Sequence, residues 1–303
     1  MRSSFKVNCV LVGTIILWAS AFVGIRIALV DYSPGSLALL RFLVASLCMA
    51  IVYRSQGIKD VMPWSHRAQL LLAGMMGIGI YNICLNYGEI TVSAGIASFV
   101  LGLMPVITVI LSLIFLREKI NGMVWAGIFI SLFGLFLLAL GESSSTEMRQ
   151  GLFLILLSAI TGSILTIIQK KFLIIYHPVA VIAWVMWGGT LLLLIFSATL
   201  AQELQTAAYQ STAAVVYMGI FPAAVAYIAW SYVLKKLPAS KASISLYALP
   251  IVSTLLGFLL LGEQPSLTSL TGGGIALIGA LIAHRFQNQD ILNVSLDKKV
   301  VAV

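Results

Sequence analysis

Residues 87–134 read YGEITVSAGIASFVLGLMPVITVILSLIFLREKINGMVWAGIFISLFG, and 145 positions later residues 232–279 read YVLKKLPASKASISLYALPIVSTLLGFLLLGEQPSLTSLTGGGIALIG. The two stretches align without a gap. Tyr87, Ala94, Ala97, Ser98, Leu101, Pro105, Leu111, Leu116, Glu118, Gly127, Ile130, Leu132 and Gly134 meet their own residue type, 13 matches in 48 positions. Leucine and isoleucine matches carry little weight in so apolar a chain. The matches at Tyr, Pro, Glu and Gly carry more. An internal repeat of this length is too long for a solenoid unit. Two hydrophobic halves of about 150 residues are the pattern of a membrane carrier built from related repeats.

Composition agrees. Hydrophobic residues make up 60% of the 303, charged residues 9%, and mean hydropathy is +1.06. A soluble domain carries about 25% charged residues. One span takes about 20 apolar residues. Spans are expected near 7–29, 34–54, 68–88, 91–116, 122–141, 151–171, 178–201, 211–234, 238–261 and 268–285. The expected fold is therefore all-α and integral to the membrane, with ten helices in a 5+5 arrangement. The first repeat covers 1–141, a Ser/Glu-rich linker 142–150, the second repeat 151–286, and a polar cytoplasmic tail 287–303. Ala19-Ser20-Ala21 imitates a leader cleavage site. Apolar sequence continues past it, so the segment reads as the first span.

With the N-terminus inside, fifteen of the 18 lysines and arginines fall on the inner side. Cytoplasmic loops carry such an excess. Both termini are then cytoplasmic. An odd number of spans per half makes the repeat inverted, with its pseudo-twofold axis in the membrane plane. The net charge of +8 thus sets topology and does not point to nucleic acid. Cys9, Cys48 and Cys84 are isolated, without metal-ligand spacing. There is no P-loop, no His-Glu-x-x-His and no Gly-x-Ser-x-Gly. No cofactor, metal or enzymatic activity is expected.

These features resemble the drug/metabolite transporter superfamily and its EamA family in particular. The resemblance rests on Trp18-Ala19-Ser20-Ala21-Phe22, on Arg41-Phe42, and on PVITVILSLIFLRE at 105–118 with PIVSTLLGFLLLGE at 250–263. It covers nearly the whole chain. It implies export or exchange of small metabolites, often amino acids or related compounds, across the bacterial inner membrane. It leaves the substrate open.

Arg41 is the leading site candidate. It lies about 12 Å into the second span at 1.5 Å per residue, where a charge is costly and faces a cavity or a partner. A guanidinium suits a carboxylate bidentately, and a structural ion pair is the alternative. The repeat places Met186 opposite it, an asymmetry that favours a substrate role. Asn82, Asn86 and Glu89 share one helix face, as cavity stripe or as interhelical glue. Trp18, Tyr81, Tyr227, Trp230 and Tyr247 supply aromatic surface, and Ser98 with Ser243 forms a matched polar pair. Pro105 and Pro250 are expected to kink the fourth and ninth spans mid-helix as hinges. Pro222 is answered by Gly77.

Glu118 and Glu263 close those same two spans, as caps of the following helix or as a charge relay. Arg26 and Lys171 read as interface anchors, and Gln169 and Thr166 as packing. No Asp or Glu sits at the centre of any expected span, so a proton relay built on a buried carboxylate has little support. The expected function is a secondary transporter of small metabolites working by alternating access. Its partners are the bilayer, a small-molecule substrate, and a coupling proton or exchanged solute. A same-fold carrier of nucleobases, sugar derivatives or drugs and a membrane-embedded lipid enzyme are the alternatives. The oligomeric state is left open.

Overall fold

A computed structural model describes residues 2–58, 61–116, 122–142, 145–236 and 245–300. Glu118 and Ser243 lie outside these residues. The described chain is helical, without strands: α1 (Arg2–Ala28), α2 (Pro34–Ser55), α3 (Trp64–Gly74), α4 (Tyr81–Gly88), α5 (Ala94–Leu101), α6 (Met104–Leu116), α7 (Gly122–Glu142) and α8 (Thr146–Leu173). There follow α9 (Pro178–Leu193), α10 (Ser197–Glu203), α11 (Tyr209–Met218), α12 (Ala226–Lys236), α13 (Leu249–Leu261) and α14 (Leu267–Val300). Among the described residues six helical stretches are long and apolar enough to cross a membrane: Lys6–Ala28, Pro34–Ser55, Trp64–Gly88, Thr146–Leu173, Pro178–Glu203 and Tyr209–Lys236. Ala94–Thr108, Gly122–Leu138, Leu246–Leu261 and Leu267–Ala283 are shorter and equally apolar.

The turns meet at two ends of one bundle. At one end Ser211 bonds Asp31, the Ser33 amide donates to Glu203, and Thr91 Oγ1 donates to the carbonyl of Glu147. At the other, His66 Nδ1 pairs with the Tyr176 hydroxyl, and Lys235 Nζ reaches the Tyr176 carbonyl. The first is the acidic end, with Asp31, Glu89, Glu147, Glu203 and Glu263. The second is the basic end, with Arg54, Arg67, Lys170, Lys171, Lys235 and Lys236.

Small residues set the packing. α7 and α14 lie backbone to backbone. A Cβ on Gly127 would strike the main chain of Ala283 and Gly279, and one on Gly279 that of Ser131 and Gly127. Gly134 and Gly272 oppose each other in the same way. Where lipid tails are as apolar as leucine, such close approach is what holds helices together. The exposed faces carry Phe129, Phe133, Phe136, Phe258 and Leu259, the side chains a bilayer would cover.

Two features depart from the regular helices expected from sequence. The third span holds a π-helical turn, Met75–Ile80, between α3 and α4. A second one, Gly219–Val225, stands between α11 and α12. The repeat offset carries residues 75–80 onto 220–225, so the irregularity itself is duplicated. Gly77 and Pro222, both poor helix formers, sit inside the two turns. The prolines also need correcting. Pro105 and Pro250 do not kink continuous helices midway; each is the second residue of a helix, α6 or α13. A proline there loses no amide bond and its φ suits the first turn. α5 stops at Leu101 before α6 begins, and a 3-10 turn, Ser245–Ala248, precedes α13.

Candidate functional site

A cavity lies among the helices of both halves, and the centres of water-sized molecules can occupy about 100 Å³ of it. α1 contributes Trp18, Ala21, Phe22 and Ile25, and α2 contributes Arg41. The π-turn and α4 contribute Gly77, Tyr81 and Leu85, and α5 and α6 contribute Leu101 and Met104. From the second half come Gly162, Leu165, Thr166 and Gln169 of α8, Tyr227 and Trp230 of α12, then Leu246 and Leu249. Along the helices this lining runs from Arg41 and Leu85 toward Gln169, four residues before α8 ends at the basic end.

Arg41 is 5% exposed. Its Nη1 donates to Asn82 Oδ1 at 3.4 Å, while Nε has no partner among the described residues. Asn82 is itself fixed, its amide donating to the carbonyl of Ile78 inside the π-turn at 2.8 Å. The turn matters here because a π-helical insertion shifts side chains relative to the regular ladder. Tyr81, Tyr227 and Glu89 stand within electrostatic reach of the guanidinium, which also lies 5.4 Å from the Phe42 ring. A buried cation with an unused donor, in a mostly apolar chamber, can receive an anionic group from a ligand.

The second π-turn serves the aromatic wall. Trp18 Nε1 donates to the carbonyl of Pro222 at 3.1 Å. The Trp18 ring meets Tyr227 edge-on at 5.5 Å and Trp230 at 5.2 Å. Gln169, read from sequence as packing, faces the cavity and donates to Ser231 Oγ at 2.8 Å. Its signal is present in the sequence: an uncharged polar side chain just before the Lys170-Lys171 end of an apolar span.

Other expected residues lie elsewhere. Asn86 does not line the cavity; its amide donates to the carbonyl of Pro34 at 3.0 Å, tying α4 to the start of α2. Ser98 is fully buried and accepts from Ser253, joining α5 to α13. Tyr247 packs with Val106, Val124, Ile128 and Ala280, away from Arg41. Pro105 and Pro250 sit behind Met104 and Leu249, which face the cavity.

At the acidic end the helices are tied to one another. Gly262 takes a left-handed conformation (φ 66°) and ends α13, and the Glu263 amide donates back to the Gly257 carbonyl at 3.2 Å. This pattern terminates helices at glycine. It turns Glu263 toward α1, where Arg26 Nε donates to Glu263 Oε1 at 3.2 Å. Glu263 Oε2 accepts from the Ala94 amide at 3.0 Å. The helix it caps is thus α5, in the other half, and not the one that follows it in the chain. Arg26 Nη1 also donates to the carbonyls of Glu89 and Ile90. It joins helices where an interface anchor was expected.

Glu89 follows the last residue of α4. It is 0% exposed and neither carboxylate oxygen has a hydrogen-bond partner among the described residues. Burial pushes its pKa well up, against the lowering pull of Arg26. The residue ends its helix but is covered by the turn and by neighbouring helices.

Comparison with known proteins follows this geometry. A model of the EamA-like transporter family matches the chain twice, over residues 5–140 and 149–284. The chain is 35% identical to the uncharacterized transporter YdfC of Bacillus subtilis, covering 88% of this chain and 87% of that one. It is 31% identical to a protein of Streptantibioticus cattleyicolor named "Probable terminal-alkyne amino-acid exporter", over 91% and 92%. A solved crystal structure superposes with a TM-score of 0.64 over 92% of this chain and 96% of that one. At 19% identity that likeness is one of fold. The family and these relatives are transporters, not enzymes. Two matches of one family model, the apolar helices and relatives at this identity make the chain a multi-pass protein of the cell inner membrane that belongs to the EamA-like transporter family.

Proposed function

We propose that the chain is a secondary transporter that exports small zwitterionic metabolites, amino acids or close relatives with an apolar side chain, by alternating access. Arg41 carries this reading. It is a buried guanidinium with a free donor at the edge of a chamber otherwise walled by Trp18, Phe22, Tyr81, Met104 and Trp230. A carboxylate would take the guanidinium and an apolar side chain the aromatic wall. The relative named as an amino-acid exporter supports that class. A buried arginine disfavours organic cations as cargo.

The same proposal has ten spans in two repeats, 1–141 and 151–286, joined by 142–150, with 287–303 as a cytoplasmic tail. The basic end faces the cytoplasm by the positive-inside rule. The chamber then leads toward the cytoplasm, and the Arg26–Glu263 pair closes the outer side, an arrangement of an inward-facing state. Pro105 and Pro250, at helix starts beside the chamber, are the proposed hinges.

The test is counterflow in proteoliposomes with labelled amino acids, nucleobases and organic cations, for wild type and Arg41→Ala. Saturable exchange of a carboxylate-bearing solute, lost in a folded Arg41→Ala protein, is expected. Equal exchange by that variant would sink the anion-site reading.

A further inference from the structure

We propose that Glu89 is a proton-binding site of the transport cycle, with its neutral form holding the outer gate closed and its ionised form favouring the open gate.

Two carboxylates compete for one guanidinium. Arg26 gives its Nε to Glu263 and its Nη1 to the main-chain carbonyl of Glu89, so the Glu89 carboxyl receives no donor among the described residues. An ionised carboxylate buried without a hydrogen bond is strongly disfavoured. The group avoids that cost by keeping a proton. The charged groups around it are few. α1 presents Arg26, α2 presents Arg41, and the turn after α13 presents Glu263. Tyr81 lies on its own helix. α5 offers no titratable side chain there. α8 meets the adjoining Gly88 through Ile155 and the Gly151 main chain, and its Glu147 and Arg149 are both exposed. Arg26 is already paired with Glu263, and Arg41 donates to Asn82 and to neither Glu89 oxygen.

The latch also fixes what opening must do. Arg26–Glu263 joins α1 to the end of α13, and Glu263 in turn caps α5. Separating α1 from α13 breaks that pair and lets water reach Glu89. The carboxyl can then release its proton to water on the outer side and accept Arg26. Closing reverses the exchange, and the proton returns to Glu89. The closed gate binds the proton more tightly than the open one, so by linkage the closed gate is favoured at low pH and lost as pH rises.

The inference uses the alternating-access reading for the motion but not for the cargo, and its test needs no substrate. Spin labels at Val30→Cys, two residues after α1, and at Leu267→Cys, the first residue of α14 just past the turn that carries Glu263, are both highly exposed at the acidic end and report the separation of these two turns in nanodiscs. Cys9, Cys48 and Cys84 are replaced in this background. The expected result is a shift from short to long distances as pH rises, absent in Glu89→Gln, which stays short throughout. A distance distribution that ignores pH, or a Glu89→Gln protein that follows pH as wild type does, overturns the proposal. Should Glu89→Gln fail to fold, Glu263→Gln decides: it frees Arg26 for Glu89, so the transition should move to lower pH. A transition that stays in place then overturns it. Failure here leaves the counterflow result untouched, and the reverse also holds.

Discussion

Ser131 Oγ donates to the main-chain carbonyl of Ala276 at 2.8 Å, and Ala276 is the residue 145 positions further on, the counterpart of Ser131 in the repeat. A residue can touch its own counterpart only near the axis that relates the two copies. Around this point Gly127 faces Gly279 and Gly134 faces Gly272. The offset carries 127 to 272 and 134 to 279, so each glycine opposes the counterpart of the other. That is the signature of an antiparallel, isologous crossing. The sequence identity at Gly127 and Gly134 thus has a physical cause: both copies of the helix pack on each other and both need a surface without Cβ atoms.

Gly134→Leu and Gly279→Leu should therefore behave alike, although they lie in different halves. Each forces side-chain atoms into a facing backbone that cannot give. A loss of at least about 1–3 kcal/mol is expected from overpacking. Ser131→Ala should cost only about 0.5–1.5 kcal/mol, the worth of one hydrogen bond. Thermal midpoints in detergent, read by size-exclusion of heated samples, check the ranking.

The repeat and the membrane class were legible because both are written in composition and register. Position within a span was less so. These helices are apolar on nearly every face, and such a helix does not announce which side meets a neighbour. Asn82 and Asn86 share a helix face, yet one orients Arg41 and the other ties down the Pro34 carbonyl. Glu89 reads in the sequence as the third member of that face, and its burial stays hidden because sequence shows where a helix stops, not what covers the stop. Pro105 and Pro250 read as mid-span kinks but stand at helix starts, since the break before each proline depends on tertiary contacts. The serine pair expected at 98 and 243 could be followed only at Ser98, which bonds Ser253.

Asn82→Ala is expected to weaken substrate binding without abolishing transport. The amide oxygen is the described hydrogen-bond partner of Arg41. Losing it leaves the guanidinium in the chamber but free to choose other rotamers. A rise in KM of about tenfold, equivalent to about 1.4 kcal/mol, is expected with little change in maximal rate. Arg41→Lys should fall further, because an ammonium cannot reproduce the fork. Initial rates in proteoliposomes over a range of substrate concentrations separate the two.

Trp18→Phe tests the second π-turn. The change keeps an aromatic ring against Tyr227 and Trp230 but removes the donor to the Pro222 carbonyl. A bond of this kind is worth about 0.5–1.5 kcal/mol, so affinity should fall between about twofold and tenfold. Trp230→Phe removes no hydrogen bond found among the described residues and should cost less. Equal losses for both would show that ring size, and not the tie to the π-turn, sets the wall.

Glu263→Gln tests the latch itself. The neutral amide can still accept from the Ala94 amide, but it gives up the charge that holds Arg26. Arg26 is about one-third exposed and Glu263 less so, which places the pair between a surface bridge and a buried one. A loss of about 1 kcal/mol from such a pair raises the open population about fivefold. Ile25 lines the chamber next to Arg26 and is fully buried in the closed gate. A cysteine there, in a background lacking the native three, should react with a membrane-impermeant thiol reagent about fivefold faster in Glu263→Gln than in its parent, by the same energy. Arg26→Gln should accelerate labelling similarly, and the double variant should add little to either. Additive effects in the double variant would mean that the two side chains act separately, and that their contact does not hold the gate.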